Sequence, residues 1–277
     1  EKVGPYLSQY FWKPIPYGMT TITQQYSAGV PGVDFMTSLS ECLRVQNGIA
    51  PSQTLALGLP HYPRDGRDLA EYVHKDFSYQ AFLNAALILL GLGTGALDDA
   101  NPYKAFANRA NFVNFGGPDV LSMVAQVAVL GLKAAWYQKW AVNRTLRPEV
   151  FALRVHQNES AVRRYPIHSS LLSSPVLERV RSVHGGLLLP LAFAEGSPTH
   201  PAYPAGHAAI AGACVTVLKA FFKESFVLPN PVLARDDGSA LDPYNEAPLT
   251  LGGELDKLAA NIAIGRNIAG VHYWSDG

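Results

Sequence analysis

His200-Pro201-Ala202-Tyr203-Pro204-Ala205-Gly206-His207 runs directly into Ala208-Ala209-Ile210-Ala211-Gly212-Ala213-Cys214-Val215-Thr216-Val217-Leu218-Lys219-Ala220-Phe221-Phe222-Lys223. The prolines read as a tight loop from Pro198 to Gly206, and His207 to Lys223 reads as a helix apolar nearly all round. Such a helix belongs inside a bundle. Its first turn is small, its leading N–H groups have no partner within the helix, and Gly206 lets the backbone approach a ligand. That is an anion-binding end, and His207 adds a group that exchanges protons near neutral pH. The blander reading of His207 is a loop-to-helix cap.

The same signals divide the rest of the chain. Residues 1–35 are rich in Pro, Gly, Gln and Tyr and form an irregular arm that either wraps over something or hangs free. A short helix is expected from Asp34 to Gln46, another from Arg67 to Tyr79, and a buried one from Tyr79 to Leu92. The glycines after it, Gly91 to Gly95, end that helix and lack the preceding strand of a nucleotide loop. A long helix should run from Pro118 to Leu146, stopped because Pro148 disfavours helical geometry at Arg147. Residues 149–196 read as shorter helices and loops, 224–250 as a Pro/Asp/Gly loop region, and Glu254 to Asp276 as the last helix. Alternating strand patterns are scarce, so the fold class is mainly α, a helical bundle with few or no strands, spanning 1–277 as one domain.

Lys plus Arg equal Asp plus Glu at 22 each, so no overall field draws the chain to nucleic acid or a membrane. Any anion site must be a local concentration of charge. No apolar run reads as a bilayer span and the start does not read as a signal peptide. Cys42 and Cys214 are far apart without zinc spacing and read as buried thiols. The chain starts at Glu1 and stops at Gly277 just after a patterned helix, which reads as a piece of a longer sequence.

Two further segments carry charge where an anion would need it. Lys139 and Arg147 sit eight residues apart, two turns along an ideal helix, and both can reach a point beyond its C-terminus. Arg147 brings a planar fork of donors and Lys139 a mobile point charge. In Arg266-Asn-Ile-Ala-Gly-Val-His272-Tyr-Trp-Ser-Asp276, the carboxylate lies four residues after the imidazole, on one helical face. A carboxylate holding one ring nitrogen leaves the other as a good ligand for a metal centre. Taken singly, each segment has an ordinary alternative: solvated cations on an amphipathic helix, or an exposed ion pair. Together, three cations and two histidines from helix ends point to a multiply charged anion, because burying them without one is costly.

The order Lys139…Arg147-Pro148, Pro204-x-Gly206-His207, then Arg266-x5-His272-x3-Asp276 resembles the superfamily of vanadium haloperoxidases and type 2 phosphatidic acid phosphatases. Seven residues separate Lys139 from Arg147, where the phosphatases typically have six. With Trp136-Tyr-Gln-Lys-Trp140, Asn111-Phe-Val-Asn-Phe-Gly116, Glu195-Gly-Ser-Pro-Thr-His-Pro201 and Gly270-Val-His-Tyr273, this favours the algal and cyanobacterial bromoperoxidase branch, over its C-terminal half.

The resemblance implies vanadate as cofactor, with His272 as its protein ligand. Lys139, Arg147, Gly206 and Arg266 would hold its oxygens and His207 would be the acid–base residue. His200 matches a second active-site histidine, Trp136 a position linked to halide preference, and Asp276 would support His272. The implied chemistry is oxidation of bromide or iodide by hydrogen peroxide to hypohalous acid, which halogenates small organic acceptors. Homo-oligomers and an extracellular, cell-wall or periplasmic location are implied too. Ala205 departs from the pattern, which usually has Ser, and removes a possible hydroxyl donor. Asp98, Asp99 and Asn101 could ligate a structural calcium, as some relatives do, although a solvated loop is the simpler reading. Two rival readings stand beside the peroxidase. One is a phosphomonoesterase using the same cage, with His272 as nucleophile and His207 protonating the leaving group. The other is an inactive truncated scaffold.

Overall fold

In the computed structural model, which describes residues 3–277, the apolar helix after His207 is α8 (Gly206–Phe221), with Ile210, Ala211, Cys214, Val215 and Leu218 buried. Against it lies α4 (Gly117–Tyr137). Their crossing is close: a methyl added to Gly131 would stand 3.3 Å from Ala209 O and 3.5 Å from Ala213 Cβ. Around this pair pack α2 (Gly66–Lys75), the apolar α3 (Gln80–Gly91) and α9 (Leu251–Ile268), giving one continuous core that includes Phe82, Leu89, Val124, Leu218, Leu255 and Ile262. A second apolar cluster, with Phe35, Met36, Cys42, Leu153, Leu191 and Phe193, joins α1 (Leu39–Gln46) and α5 (Pro148–Glu159) to the loop before α8. The short α6 (Ser169–Leu172) and α7 (Pro175–His184) cover α5.

The N-terminal arm wraps. Leu7, Tyr10, Phe11, Trp12 and Ile15 are buried, and Ser8 Oγ and Gln9 N donate to Glu254 O and Oε2 on α9, both at 2.8 Å. Among the described residues, strands are confined to two small antiparallel hairpins: β1 (Ile15–Tyr17) with β2 (Thr20–Ile22), and β3 (Val232–Ala234) with β4 (Leu241–Pro243). The architecture is therefore mainly α, as the sequence indicates. Cys42 and Cys214 are buried free thiols.

Two expectations are corrected. The long helix does not continue regularly to Leu146: from Gln138 to Asn143 it widens into a π turn, and Arg144, at φ +49°, ends it. The last helix stops at Ile268, not Asp276. Gly270 adopts φ +83°, and a Cβ there would lie 2.7 Å from Leu191 Cδ2 and 2.9 Å from Pro190 O, so only glycine allows the turn into His272. Among the described residues one helix, beginning at Gly117, is long and apolar enough to cross a membrane by length and composition alone. Its outer face, including Val129, Leu130 and Tyr137, is exposed because α8 and α3 cover only the opposite side.

In the acidic loop after α3 the side chains are engaged by the protein itself. Asp98 Oδ1 accepts from Ala100 N at 2.9 Å, Asn101 Oδ1 accepts from Tyr103 N at 3.0 Å, and Asp99 pairs with Lys104 and Lys223, each at 2.7 Å. Among the described residues no group of three His, Cys, Asp or Glu is placed to hold a metal ion.

Candidate active site

The π turn decides where Lys139 points. Widening the helix by one residue per turn brings the side chain inward, where it is fully buried, and Nζ donates to Pro201 O at 2.6 Å and Ala202 O at 2.8 Å. Arg147 stands outside any helix, extended at φ −66° and ψ 152° as Pro148 dictates, and caps α5. The two meet through the fold, not through one helical face. Arg147 Nε donates to His200 O at 2.8 Å, Nη1 to Val271 O at 2.7 Å and to His272 Nε2 at 3.0 Å, and Nη2 to His200 Nδ1 at 3.1 Å.

His272 and Asp276 lie beyond α9, so the helical i, i+4 geometry expected of them is absent. They pair nonetheless: His272 Nδ1 donates to Asp276 Oδ2 at 2.8 Å across a turn that ends in the 3-10 segment Trp274–Asp276. Tyr273 N donates to the same carboxylate oxygen at 3.0 Å, and the Asp276 carbonyl accepts from Ala205 N at 2.8 Å. The turn carrying His272 is thereby tied to the start of α8. Arg266, on the last turn of α9, is buried, donates from Nη1 to Val73 O at 2.9 Å and leaves Nε with no protein partner.

These residues converge on one cavity of about 740 Å³, lined by Lys139, Trp136, His200, Gly206, His207, Arg266 and His272. Arg147 lines the adjoining cavity together with His200 and enters the constellation through its contact with His272. Trp136 lies against His200, ring centroids 4.8 Å apart. A methyl on Gly206 would touch only Leu132 Cδ1, at 3.5 Å, so the glycine is not demanded by packing and keeps that wall of the cavity bare. Ala205 is buried at the N-cap of α8 and offers no side-chain cap.

The electrostatics are those of an anion site. Burial, reinforced by Arg147 and Arg266, pushes the Lys139 ammonium down to about 7. Burial lowers both Arg147 and Arg266 to about 10. Burial, followed by Arg147 and Lys139, lowers His200 to about 4. His272 is also held below the usual imidazole range by burial, against the pull of Asp276. Every one of these shifts expresses positive charge confined away from water, and a tetrahedral oxyanion in the cavity would oppose all of them. A buried Arg266 Nε without a partner suits the donor role vanadate requires, and His272 Nε2 suits the ligand role once Arg147 Nη1, which here donates to its lone pair, turns to the anion.

The structure adds residues that the sequence does not mark. Asp76, just past α2, accepts from His207 Nε2 at 2.8 Å and is nearly fully buried. His74, Phe193 and Glu195 line the same cavity. No motif announces them; the only local signal is a charged helix end, which α2 shares with most surface helices.

Comparison with known proteins shows the family. A family model described as the VCPO second helical-bundle domain matches residues 120–277, more than half of the chain. The chain belongs to that family. The matched span takes in every expected site residue from Lys139 to Asp276, together with α4, α8 and α9. The vanadium-dependent bromoperoxidase of Corallina pilulifera is 38% identical over 331 residues, covering 100% of this chain and 54% of that protein. That of Ascophyllum nodosum is 35% identical over 290 residues, covering 100% and 52%. A solved structure described as the homohexameric second vanadate-dependent bromoperoxidase of Ascophyllum nodosum superposes with a TM-score of 0.88 at 31% identity, covering 99% of this chain and 50% of that one. The chain thus spans about half the length of the relatives it matches.

Proposed function

We propose that this chain carries the vanadate site of a haloperoxidase that oxidises bromide or iodide with hydrogen peroxide to hypohalous acid, which then halogenates small organic acceptors. The observation that carries this reading is the meeting of Arg147, Lys139, Arg266 and His207 around a His272 whose Nδ1 is committed to Asp276. Lys139, Arg147, Arg266 and the Gly206 N–H hold the oxygens of the anion, and His272 Nε2 supplies the one protein ligand. Vanadate, when bound, supplies a Lewis-acid centre that activates peroxide without changing its own oxidation state.

His207 then has a defined task. Forming hypohalous acid from peroxide and halide consumes a proton, and His207, held by Asp76 at the cavity wall, is placed to give and recover it. His200, kept neutral by burial and then by its cationic neighbours, accepts from Arg147 and so aims the guanidinium. Trp136 closes the cavity beside His200 and shapes the space a halide would enter. Homo-oligomer formation belongs to the same reading, supported by the homohexameric bromoperoxidase that the chain resembles, and an extracellular, cell-wall or periplasmic location is proposed with it.

The test is a halide-dependent oxidation assay on metal-stripped protein with and without vanadate, beside a chromogenic phosphate ester. Activity restored by vanadate and suppressed by millimolar phosphate is the expected result. Ester hydrolysis with no halide oxidation would transfer the site to the phosphomonoesterases. Inactivity in both assays would leave a scaffold.

A further inference from the structure

The last turn of α2 and the loop that carries His200 are joined at one side chain. His74 stacks flat on Phe193, with ring centroids 3.9 Å apart and planes 13° from parallel. Its Nδ1 lies 3.2 Å from Glu71 Oε2 on its own helix, and its Nε2 makes a short contact with Glu195 Oε1, two residues beyond Phe193. The same Phe193 ring, buried to 1% exposure, lies under the guanidinium of Arg266, with Cζ 5.5 Å from the centroid. The residue before His74 completes the bracket, because Val73 O accepts from Arg266 Nη1 at 2.9 Å.

We propose that His74 is a positioning residue for the oxyanion cage: clamped between Glu71 and Glu195, it sets the Phe193 ring that orients Arg266 and docks the loop leading to His200. This rests on the anion-cage reading of the site. Arg266 is otherwise under-determined. Arg266 lines the cavity, donates to Val73 O and leaves Nε buried without a partner, so a guanidinium that must present donors to a ligand needs its plane fixed by packing. Phe193 supplies that plane, and a cation over a desolvated aromatic face is held more firmly than one at the surface. His74 in turn keeps Phe193 from turning, and its two carboxylate partners keep His74. Burial opposes charge on the imidazole, but the bonds to Glu195 and Glu71 outweigh it and raise His74 to about 9, so the imidazole holds its proton at neutral pH. His74 itself donates nothing to the anion in this arrangement.

The experiment is a double-mutant cycle on orthophosphate binding to the whole chain, measured by calorimetry. His74→Ala is expected to weaken orthophosphate about tenfold in the wild-type background, equivalent to about 1.4 kcal/mol, and less than about twofold in an Arg266→Lys background, because a lysine has no plane to orient. Equal losses in the two backgrounds, or none in either, would overturn the proposal, since a residue that merely supports the fold acts additively. Glu195→Gln, at a more exposed position, gives the same comparison without a large cavity and is expected to show a smaller loss with the same dependence on Arg266. It decides the matter if His74→Ala does not fold. Wild-type protein that binds no orthophosphate would sink the anion-cage reading itself, an outcome distinct from a normal wild type with uncoupled variants.

Discussion

Arg147 Nη1 and His272 Nε2 lie 3.0 Å apart in the protein interior, while His272 Nδ1 donates to Asp276 at 2.8 Å. The two contacts fix the tautomer: Nδ1 carries the proton and Nε2 offers a lone pair. An imidazole prepared in this way is neutral and aimed, and the cation beside it resists its protonation.

That pair makes the first prediction. Asp276→Asn should weaken vanadate 10–100-fold, the usual cost of losing a carboxylate behind a ligating histidine. His272→Ala should abolish halide oxidation while some loosely held vanadate remains on the cations. Titrating vanadate into wild type and both variants checks the order, and unchanged affinity in Asp276→Asn would remove that residue from the site.

His207→Ala should lower turnover by roughly 10²–10⁴-fold with a much smaller change in vanadate affinity, since its proposed work is proton transfer. Asp76→Asn should fall between wild type and His207→Ala, because it orients the imidazole without touching the anion. Steady-state kinetics beside vanadate titration separate the two effects. Full turnover in His207→Ala would show the role to be misassigned.

Ala205→Ser should raise stability by about 1 kcal/mol, because α8 has no side-chain cap and Ser is a favoured N-cap residue. If the hydroxyl instead turns to the anion, vanadate should tighten by up to roughly tenfold. Thermal unfolding with and without vanadate distinguishes the two destinations of the hydroxyl.

Lys139 gives a pH signature with a definite sign. Its folded value, about 7, lies below the ordinary 10.5, so between those limits the unfolded chain binds a proton that the folded chain lacks. Stability should therefore rise with pH across that window, and the cost of the buried charge is fully present below about 7. An oxyanion favours the charged ammonium, so binding phosphate near pH 8 should take up protons and weaken as pH rises. Calorimetry in two buffers of different ionisation enthalpy measures the uptake, and zero uptake would mean Lys139 is already charged there.

The residue types of the cage, their order, and the apolar helix behind His207 are all legible in the chain itself. Helix-forming apolar runs, prolines that forbid helix and glycines that end it act over a few residues, so sequence alone determined a mainly helical fold with Arg147 just outside a helix. Tertiary structure alone decided how those residues meet. The π turn that buries Lys139 and the Gly270 turn that lifts His272 and Asp276 off α9 answer to packing against Pro201 and Leu191, more than fifty residues away in sequence. Asp76 and His74 were invisible for the same reason, since a histidine or carboxylate at a helix end looks like solvated surface until α2 is laid against α9 and the His200 loop. Local chemistry chooses which groups are present, and only long-range packing sets the few ångströms between them on which binding and proton transfer depend.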